Sequence, residues 1–126
     1  MFNEMSDSLS RLYDAVITAK LADPSGSRTA KLLRAGRAKM GKKLAEEAVE
    51  VLLNTLHGDR EAVVQESADL LYNLVVLWVA AGVKPQDVWD EMKYRERLMG
   101  IAEKLPKHAV LGRRKVAELV SPRIRA

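Results

Sequence analysis

The sequence predicts an all-α fold, a bundle of four or five helices. Apolar residues recur at three- and four-residue spacing over long stretches of the 126-residue chain, and no segment sustains the alternation typical of a β-strand. Glycine or proline stands at the end of each stretch, where helices end. With 48% hydrophobic residues the chain can bury a core, and without cysteine it contains neither disulfides nor thiolate metal sites.

Two helices are predicted in the first part of the chain. The first spans residues 6–21, because apolar side chains from Leu9 to Ile17 fall on one face. The sequence DPSGS at 23–27 is a turn signal that ends this helix. A short helix over 29–35 follows.

Three longer elements follow in order. A helix over 38–56 stops at Gly58, a residue type favoured where helices end. Asp59 can cap a third helix, which ends at Gly82. A fourth helix is predicted over 85–99, where proline occupies the first turn.

Two of these helices carry more apolar surface than one small bundle covers. On the helix over 38–56, apolar side chains cover about 220° of the circumference, so we expect it to be packed on most sides with its narrow polar stripe facing a cleft. Residues 70–81 read LLYNLVVLWVAA, an apolar run too short to span a bilayer. We therefore expect no membrane partner, and a homodimer or larger homo-oligomer that shares its core.

Positive charge is concentrated in two segments of the chain. Residues 104–126 carry seven basic side chains against one acidic, so we assign 1–103 to the folded domain and 104–126 to a basic C-terminal extension that is not a separate domain. Residues 28–43 hold seven basic side chains and no acidic one, which suits either a phosphorylated ligand or a solvated surface. Aromatic residues make up only 5%, which disfavours base-stacking nucleic-acid modules. No signal peptide is legible, so we expect a cytoplasmic protein.

Five carboxylates form the main candidate for chemistry. They occur as Glu46-Glu47-x-x-Glu50 and Glu66-x-x-Asp69, with fifteen residues between the two groups. Residues three apart share a helix face. If the two helices pack antiparallel about a turn near residue 58, Glu50 lies opposite Glu66 and Glu47 lies opposite Asp69. The spacing therefore predicts that the two acidic pairs face each other.

Converging carboxylates need compensation, since burying them unpaired costs several kcal/mol per charge. Lys42 and Lys43 can offset part of that cost as partners four residues before Glu46 and Glu47. A divalent cation offsets more, and carboxylate oxygens suit Mg²⁺ or Mn²⁺. A di-iron site would favour Glu-x-x-His pairs, which are missing here. The alternative, an acidic face exposed to solvent, stays open at this point.

Four segments carry a resemblance to a known family. ADPSGSRTAKLLRAG (22–36), KKLAEEAVEV (42–51), ESADLLYNLVVLW (66–78) and GVKPQDVWDEM (82–92) resemble the phosphoribosyl-ATP pyrophosphohydrolases, a branch of the all-α MazG-like nucleotide pyrophosphohydrolases. The resemblance covers about residues 9–95. It implies a MazG-like bundle and the Mg²⁺-dependent hydrolysis of phosphoribosyl-ATP to phosphoribosyl-AMP and pyrophosphate, the second step of histidine biosynthesis.

The resemblance also implies roles for individual residues. The implied metal ligands are Glu47, Glu50, Glu66 and Asp69. Glu46 and Glu50 are the implied catalytic residues, with Glu46 orienting or deprotonating water. The expected substrate-binding residues are Arg28, Lys39, Lys43 and Asn73. The sequence departs from the family pattern at Asn73, where the family usually has a histidine, and an amide cannot transfer a proton as imidazole can.

Two other functions remain open at this stage. One is a house-cleaning pyrophosphohydrolase acting on another nucleoside or deoxynucleoside triphosphate, which a substrate panel distinguishes. The other is a non-enzymatic helical module for oligomerisation or nucleic-acid binding that uses the basic extension. That module predicts salt-dependent binding to DNA or RNA and no response to Glu50→Gln.

Overall fold

The computed structural model describes residues 2–99 of the chain, and the side chains of residues 8–98. This part contains five α-helices, one 3₁₀ turn and no β-strand, which confirms the all-α prediction. The 104–126 extension and its boundary lie outside the described residues. The elements are α1 (Phe2–Ala19), the 3₁₀ turn (Pro24–Gly26), α2 (Arg28–Ala35), α3 (Arg37–Leu56), α4 (Arg60–Ala81) and α5 (Pro85–Met99).

Local hydrogen bonds explain where the helices begin and end. The hydroxyl oxygen of Ser27 accepts the Ala30 N–H at 3.0 Å and caps α2. A carboxylate oxygen of Asp59 accepts the Ala62 N–H at 3.1 Å, which confirms Asp59 as the cap of α4. Gly82 ends α4 with a φ of 76°, in the left-handed region that glycine adopts without strain.

The end of α1 differs from the prediction by two residues. The sequence pattern extends the helix to 21, whereas α1 ends at Ala19. Beyond it, the Leu21 N–H donates to the Thr18 carbonyl at 3.1 Å, and the Ala22 N–H donates to the Ala19 carbonyl at 3.0 Å. These bonds to the third preceding residue tighten the chain into a final turn that keeps helical spacing without being α-helical.

The hairpin of α3 and α4 is the centre of the fold and positions the site. A short turn joins the two helices, with Gly58 at a φ of 73°. The Arg37 guanidinium, at the start of α3, donates to the Ala80 carbonyl near the end of α4 at 3.1 Å, so the helices are antiparallel. Helices α1 and α2 pack on this hairpin. The buried apolar side chains are Leu9, Val16, Ala30, Met40, Val75, Val76 and Val79.

The described chain divides into two compact units, one up to Pro85 and one from Gln86 onward. The described part of the second unit is α5. Its exposed face carries pairs four residues apart, of which the Arg95 guanidinium and the Glu91 carboxylate are 3.0 Å apart. All site residues discussed below belong to the first unit.

Helix α3 is less buried than its sequence predicts. In a single chain Met40 is its one buried residue, while four large apolar side chains in its second half are 43–72% exposed. The expectation that α3 packs on most sides is therefore wrong for one chain, because α4 and α2 are its main neighbours and cover a limited arc. The exposed residues are Val49, Leu52, Leu53 and Leu56.

Helix α4 is longer than its apolar run. At 22 residues it is, among the described helices, the one long and apolar enough to cross a bilayer by length and composition. The apolar run at 70–81, which by itself is too short to span a bilayer, forms the last part of this helix. A core helix of a soluble protein meets the same criterion, and α4 packs against α3 and α1 while carrying Glu66 and Asp69. We therefore describe α4 as a core helix.

Candidate metal centre and cleft

Three carboxylates converge across the α3–α4 hairpin. One oxygen each from Glu47, Glu66 and Asp69 lies within 4.8 Å of the others. Glu47 comes from α3, and the other two come from positions three apart on α4. The antiparallel register therefore brings together three of the four carboxylates that the sequence predicts to converge, with Glu66 hydrogen-bonded to Glu47 rather than placed opposite Glu50. Glu50 lies outside this group of three, but its charge still acts on Glu66.

Glu66 shows the electrostatic consequence of this arrangement. A hydrogen bond with the Glu47 carboxyl raises the pKa of Glu66 most, followed by lost hydration and by repulsion from the charges of Glu47, Asp69 and Glu50. In the protein without metal, Glu66 therefore holds a proton more readily than an isolated glutamate. A bound cation would remove the repulsion that favours that proton.

One oxygen of Glu47 indicates that the cluster fits a cation. Oε1 of Glu47 is buried and has no hydrogen-bond partner among the described residues. A buried anionic oxygen without a partner is costly. The donors in this cluster are all carboxylate oxygens, the set preferred by Mg²⁺ and Mn²⁺ rather than by softer metals. These residues fit a hard divalent cation.

A cleft of about 640 Å³ opens beside the carboxylates. Its walls come from α2, α3 and α4, and they combine five basic side chains with three acidic ones. Lys42 and Lys43 form no ion pair with Glu46 or Glu47 in the described part of the chain, so the expected pairs within α3 are not made. The lining residues are Arg28, Lys31, Leu32, Ala35, Lys39, Lys42, Lys43, Glu46, Glu47, Asp69, Tyr72 and Asn73.

The cleft brings most of the predicted site residues to one place. The seven that line it are Arg28, Lys39, Lys43, Glu46, Glu47, Asp69 and Asn73. Glu66 joins them through the carboxylate cluster. Glu50 neither lines the cleft nor belongs to the group of three, and it meets the site only through its effect on Glu66. The roles of these residues stay predictions.

Five of the residues that line the cleft are not among the predicted site residues, and three of these five are polar. Lys31 lies one helical turn after Arg28 on α2, and Lys42 precedes the predicted Lys43. Tyr72 lies one turn after Asp69 on α4. Lys31 and Tyr72 each lie three residues after a predicted site residue, and this spacing, which places residues on one helix face, could have indicated them.

Asn73 presents a fixed acceptor at the cleft wall. The residue is 4% exposed, and its amide nitrogen donates to the Asp69 carbonyl at 2.9 Å. That bond fixes which end of the amide is the oxygen. Oδ1 is buried and has no hydrogen-bond donor. Asn73 can therefore accept a hydrogen bond from a ligand, although it cannot supply a proton as imidazolium would.

A pair of hydroxyls connects α2 to α4 at the same cleft. The Thr29 and Tyr72 hydroxyl oxygens are 2.6 Å apart, in a half-buried contact between residues 43 positions apart. This bond links the helix that carries Arg28 and Lys31 to the helix that carries Asp69.

Comparisons with known proteins show what this chain is similar to. The family model described as phosphoribosyl-ATP pyrophosphohydrolase matches residues 9–96. A protein of Bradyrhizobium diazoefficiens named phosphoribosyl-ATP pyrophosphatase 2 is 59% identical over 97% of this chain and 88% of its own length. A protein of the same name from Rhodopseudomonas palustris is 62% identical over 84% of this chain and 81% of its own length. Phosphoribosyl-ATP pyrophosphatase of Gluconobacter oxydans is 52% identical over 76% of this chain and 72% of its own length.

Proposed function

The chain belongs to the phosphoribosyl-ATP pyrophosphohydrolase family, and from that premise we propose that it hydrolyses phosphoribosyl-ATP to phosphoribosyl-AMP and pyrophosphate in histidine biosynthesis. The observation that carries this proposal is the carboxylate cluster of Glu47, Glu66 and Asp69 at the edge of a cationic cleft. Such a site suits a triphosphate bound together with a divalent cation.

The reaction needs a water molecule, a polarised phosphoanhydride and no covalent enzyme intermediate. A water oxygen bonds to the α-phosphorus, the bond from that phosphorus to the bridging oxygen breaks, and the bridging oxygen leaves on pyrophosphate. The water proton passes to a base. Glu46 is exposed at the cleft and has no ion-pair partner among the described residues, so we assign it the task of orienting and deprotonating that water.

Mg²⁺ is the cofactor that we propose for this site, with Mn²⁺ as a substitute. When bound it supplies Lewis-acid polarisation and lowers the pKa of water. Glu47, Glu66 and Asp69 would hold it, and Glu50 would complete the ligands from the adjoining turn of α3. Arg28, Lys39 and Lys43 bind the phosphates, because these cations line the same cleft. Asn73 accepts a hydrogen bond from the substrate through its free oxygen.

We also propose that the working protein is a cytoplasmic homodimer or larger homo-oligomer. Four large apolar side chains in the second half of α3 are exposed in one chain. Val64 and Leu71 of α4 are also exposed, at 51% and 41%. A second copy that covers α3 and α4 would bury these side chains, and large apolar patches are seldom left in water by single chains.

The substrate assignment is tested by pyrophosphate release from a panel of phosphoribosyl-ATP, ATP, dATP, dCTP and dUTP, each with Mg²⁺ and with chelator. We expect Mg²⁺-dependent release with kcat/KM for phosphoribosyl-ATP at least about a hundredfold above that for the others, because only this substrate carries a second ribose phosphate for the basic cleft. A higher kcat/KM for another nucleotide would change the assigned substrate, while the assignment as a pyrophosphohydrolase would stand. Inactivity of folded protein on the whole panel would reject the hydrolase assignment.

A further inference from the structure

Either hydroxyl can be the donor in the Thr29–Tyr72 pair, and the place of Thr29 in α2 favours Thr29. Thr29 is the second residue of α2, so no preceding turn of that helix offers a backbone carbonyl to its hydroxyl hydrogen. Tyr72 lies 2.6 Å away and can accept that hydrogen. If Thr29 donates, the phenolic hydrogen of Tyr72 is left to donate elsewhere.

The cleft supplies the acceptor for that second hydrogen. Tyr72 lines the cleft, whereas Thr29 is not among the lining residues. The basic side chains around Tyr72 favour an anionic ligand, whose phosphate oxygens accept hydrogen bonds. Hydrogen bonds to ionised acceptors are roughly twice as strong as neutral ones. A half-buried phenol at this wall is therefore suited to hold one phosphate oxygen in a fixed direction, which mobile lysine side chains do poorly.

We propose that Tyr72 is a substrate-binding residue whose hydroxyl donates a hydrogen bond to a phosphate oxygen of the nucleotide, and that Thr29 is a positioning residue that orients this hydroxyl. The proposal deepens the proposed function and rests on it for the identity of the nucleotide. It also gives α2 a second task, because the same bond fixes the helix that brings Arg28 and Lys31 to the cleft.

The test removes the two hydroxyls singly and together. The variants are Tyr72→Phe, Thr29→Val, Thr29→Ser and the double variant Tyr72→Phe/Thr29→Val, with Tyr13→Phe on α1 as a matched control. Affinity for α,β-methylene-ATP with Mg²⁺ is measured by calorimetry, since this analogue has the triphosphate but lacks the scissile oxygen. KM and kcat are measured with phosphoribosyl-ATP, and thermal melting verifies that each variant is folded.

We expect Tyr72→Phe to weaken analogue binding about tenfold to a hundredfold and to raise KM similarly, with a smaller change in kcat. Thr29→Val should weaken binding about threefold to tenfold, because an unoriented phenol still donates part of the time. Thr29→Ser retains the hydroxyl and should stay within about twofold of wild type, as should the Tyr13→Phe control. The double variant should bind no more weakly than Tyr72→Phe alone, because Thr29 acts through the phenol.

Two results would overturn the proposal. One is a folded Tyr72→Phe variant that binds the analogue and turns over substrate like wild type. The other is a double variant whose losses are the sum of the single ones, which would mean that Thr29 acts independently of the phenol. If Tyr72→Phe does not fold, equal affinity of Thr29→Val and Thr29→Ser overturns the proposal in its place. Wild type that binds the analogue without hydrolysing phosphoribosyl-ATP would instead count against the proposed function.

Discussion

Replacing Glu47 by glutamine should stabilise the metal-free protein and remove its response to Mg²⁺. Glu47 contributes one of three carboxylate oxygens that lie within 4.8 Å of one another, and its Oε1 is buried without a donor. Glutamine removes one negative charge from that group, and its side-chain N–H can donate a hydrogen bond to the Glu66 carboxylate. Repulsion falls in the free protein, while a cation loses one charged ligand.

The size of the effect follows from the charges involved. Two unit charges 4 Å apart interact by about 1 kcal/mol in water and about 4 kcal/mol near a protein surface. We therefore expect the variant to lose about 2.7 kcal/mol of Mg²⁺ binding free energy, a value between these two, which corresponds to about a hundredfold weaker binding. At ten times the wild-type Kd, Mg²⁺ stabilises wild type by about 1.4 kcal/mol, and it stabilises the variant by less than about 0.1 kcal/mol. Tm should rise by about 5–10 °C in wild type and by less than about 1 °C in the variant.

The assay is thermal melting across a Mg²⁺ titration, starting from protein treated with chelator. Glu96→Gln serves as the matched control, since Glu96 is exposed on α5 and should leave the Mg²⁺ response intact. A Glu47→Gln variant with the same Mg²⁺-induced shift as wild type would refute the assigned cation site. A metal-free variant that melts below metal-free wild type would refute the claim that the carboxylates repel one another.

Three further outcomes are expected. The pKa of Glu66 is raised by its hydrogen bond with Glu47, so this group adds stability below its unfolded pKa, and that stability is lost as pH rises through the folded pKa. Metal-free protein should therefore melt at lower temperature at pH 7 than at pH 5, and Mg²⁺ should reduce the difference. A Tm that rises with pH in the presence of chelator would contradict this. Val76→Ala, at a fully buried position, should cost about 2 kcal/mol in urea unfolding, while Leu21→Ala at 91% exposure should cost less than about 0.5 kcal/mol; equal costs would place Val76 outside the core. Leu52→Glu, at 55% exposure on α3, should shift the protein toward monomer in light scattering, and an unchanged mass would remove this face from the interface.

The parts of the fold that sequence predicts well depend on local chemistry. Asp59 caps α4 and Gly82 ends it because a short carboxylate and a residue without a side chain suit those backbone positions whatever surrounds them. The convergence of Glu47, Glu66 and Asp69 was also predictable. It required only helical spacing and an antiparallel hairpin, both of which the sequence specifies.

The parts that sequence reasoning missed depend on tertiary contacts. The bond between Thr29 and Tyr72 joins residues 43 positions apart, and neither spacing nor composition indicates that α2 packs over this point of α4. Helical spacing allows Lys43 to pair with Glu47, yet the two form no ion pair, because spacing does not determine where flexible side chains extend. The wide apolar arc of α3 predicts a helix packed on most sides, whereas one chain leaves much of that arc exposed.

Phosphorus NMR of the products made from phosphoribosyl-ATP tests the central claim most directly. With Mg²⁺, wild-type protein should yield pyrophosphate and phosphoribosyl-AMP in equal amounts, and Glu47→Gln should yield at least about a hundredfold less per unit time. Orthophosphate as the first product would contradict cleavage between the α- and β-phosphates. Equal pyrophosphate yields from wild type and Glu47→Gln would contradict the assignment of the reaction to the carboxylates of α3 and α4.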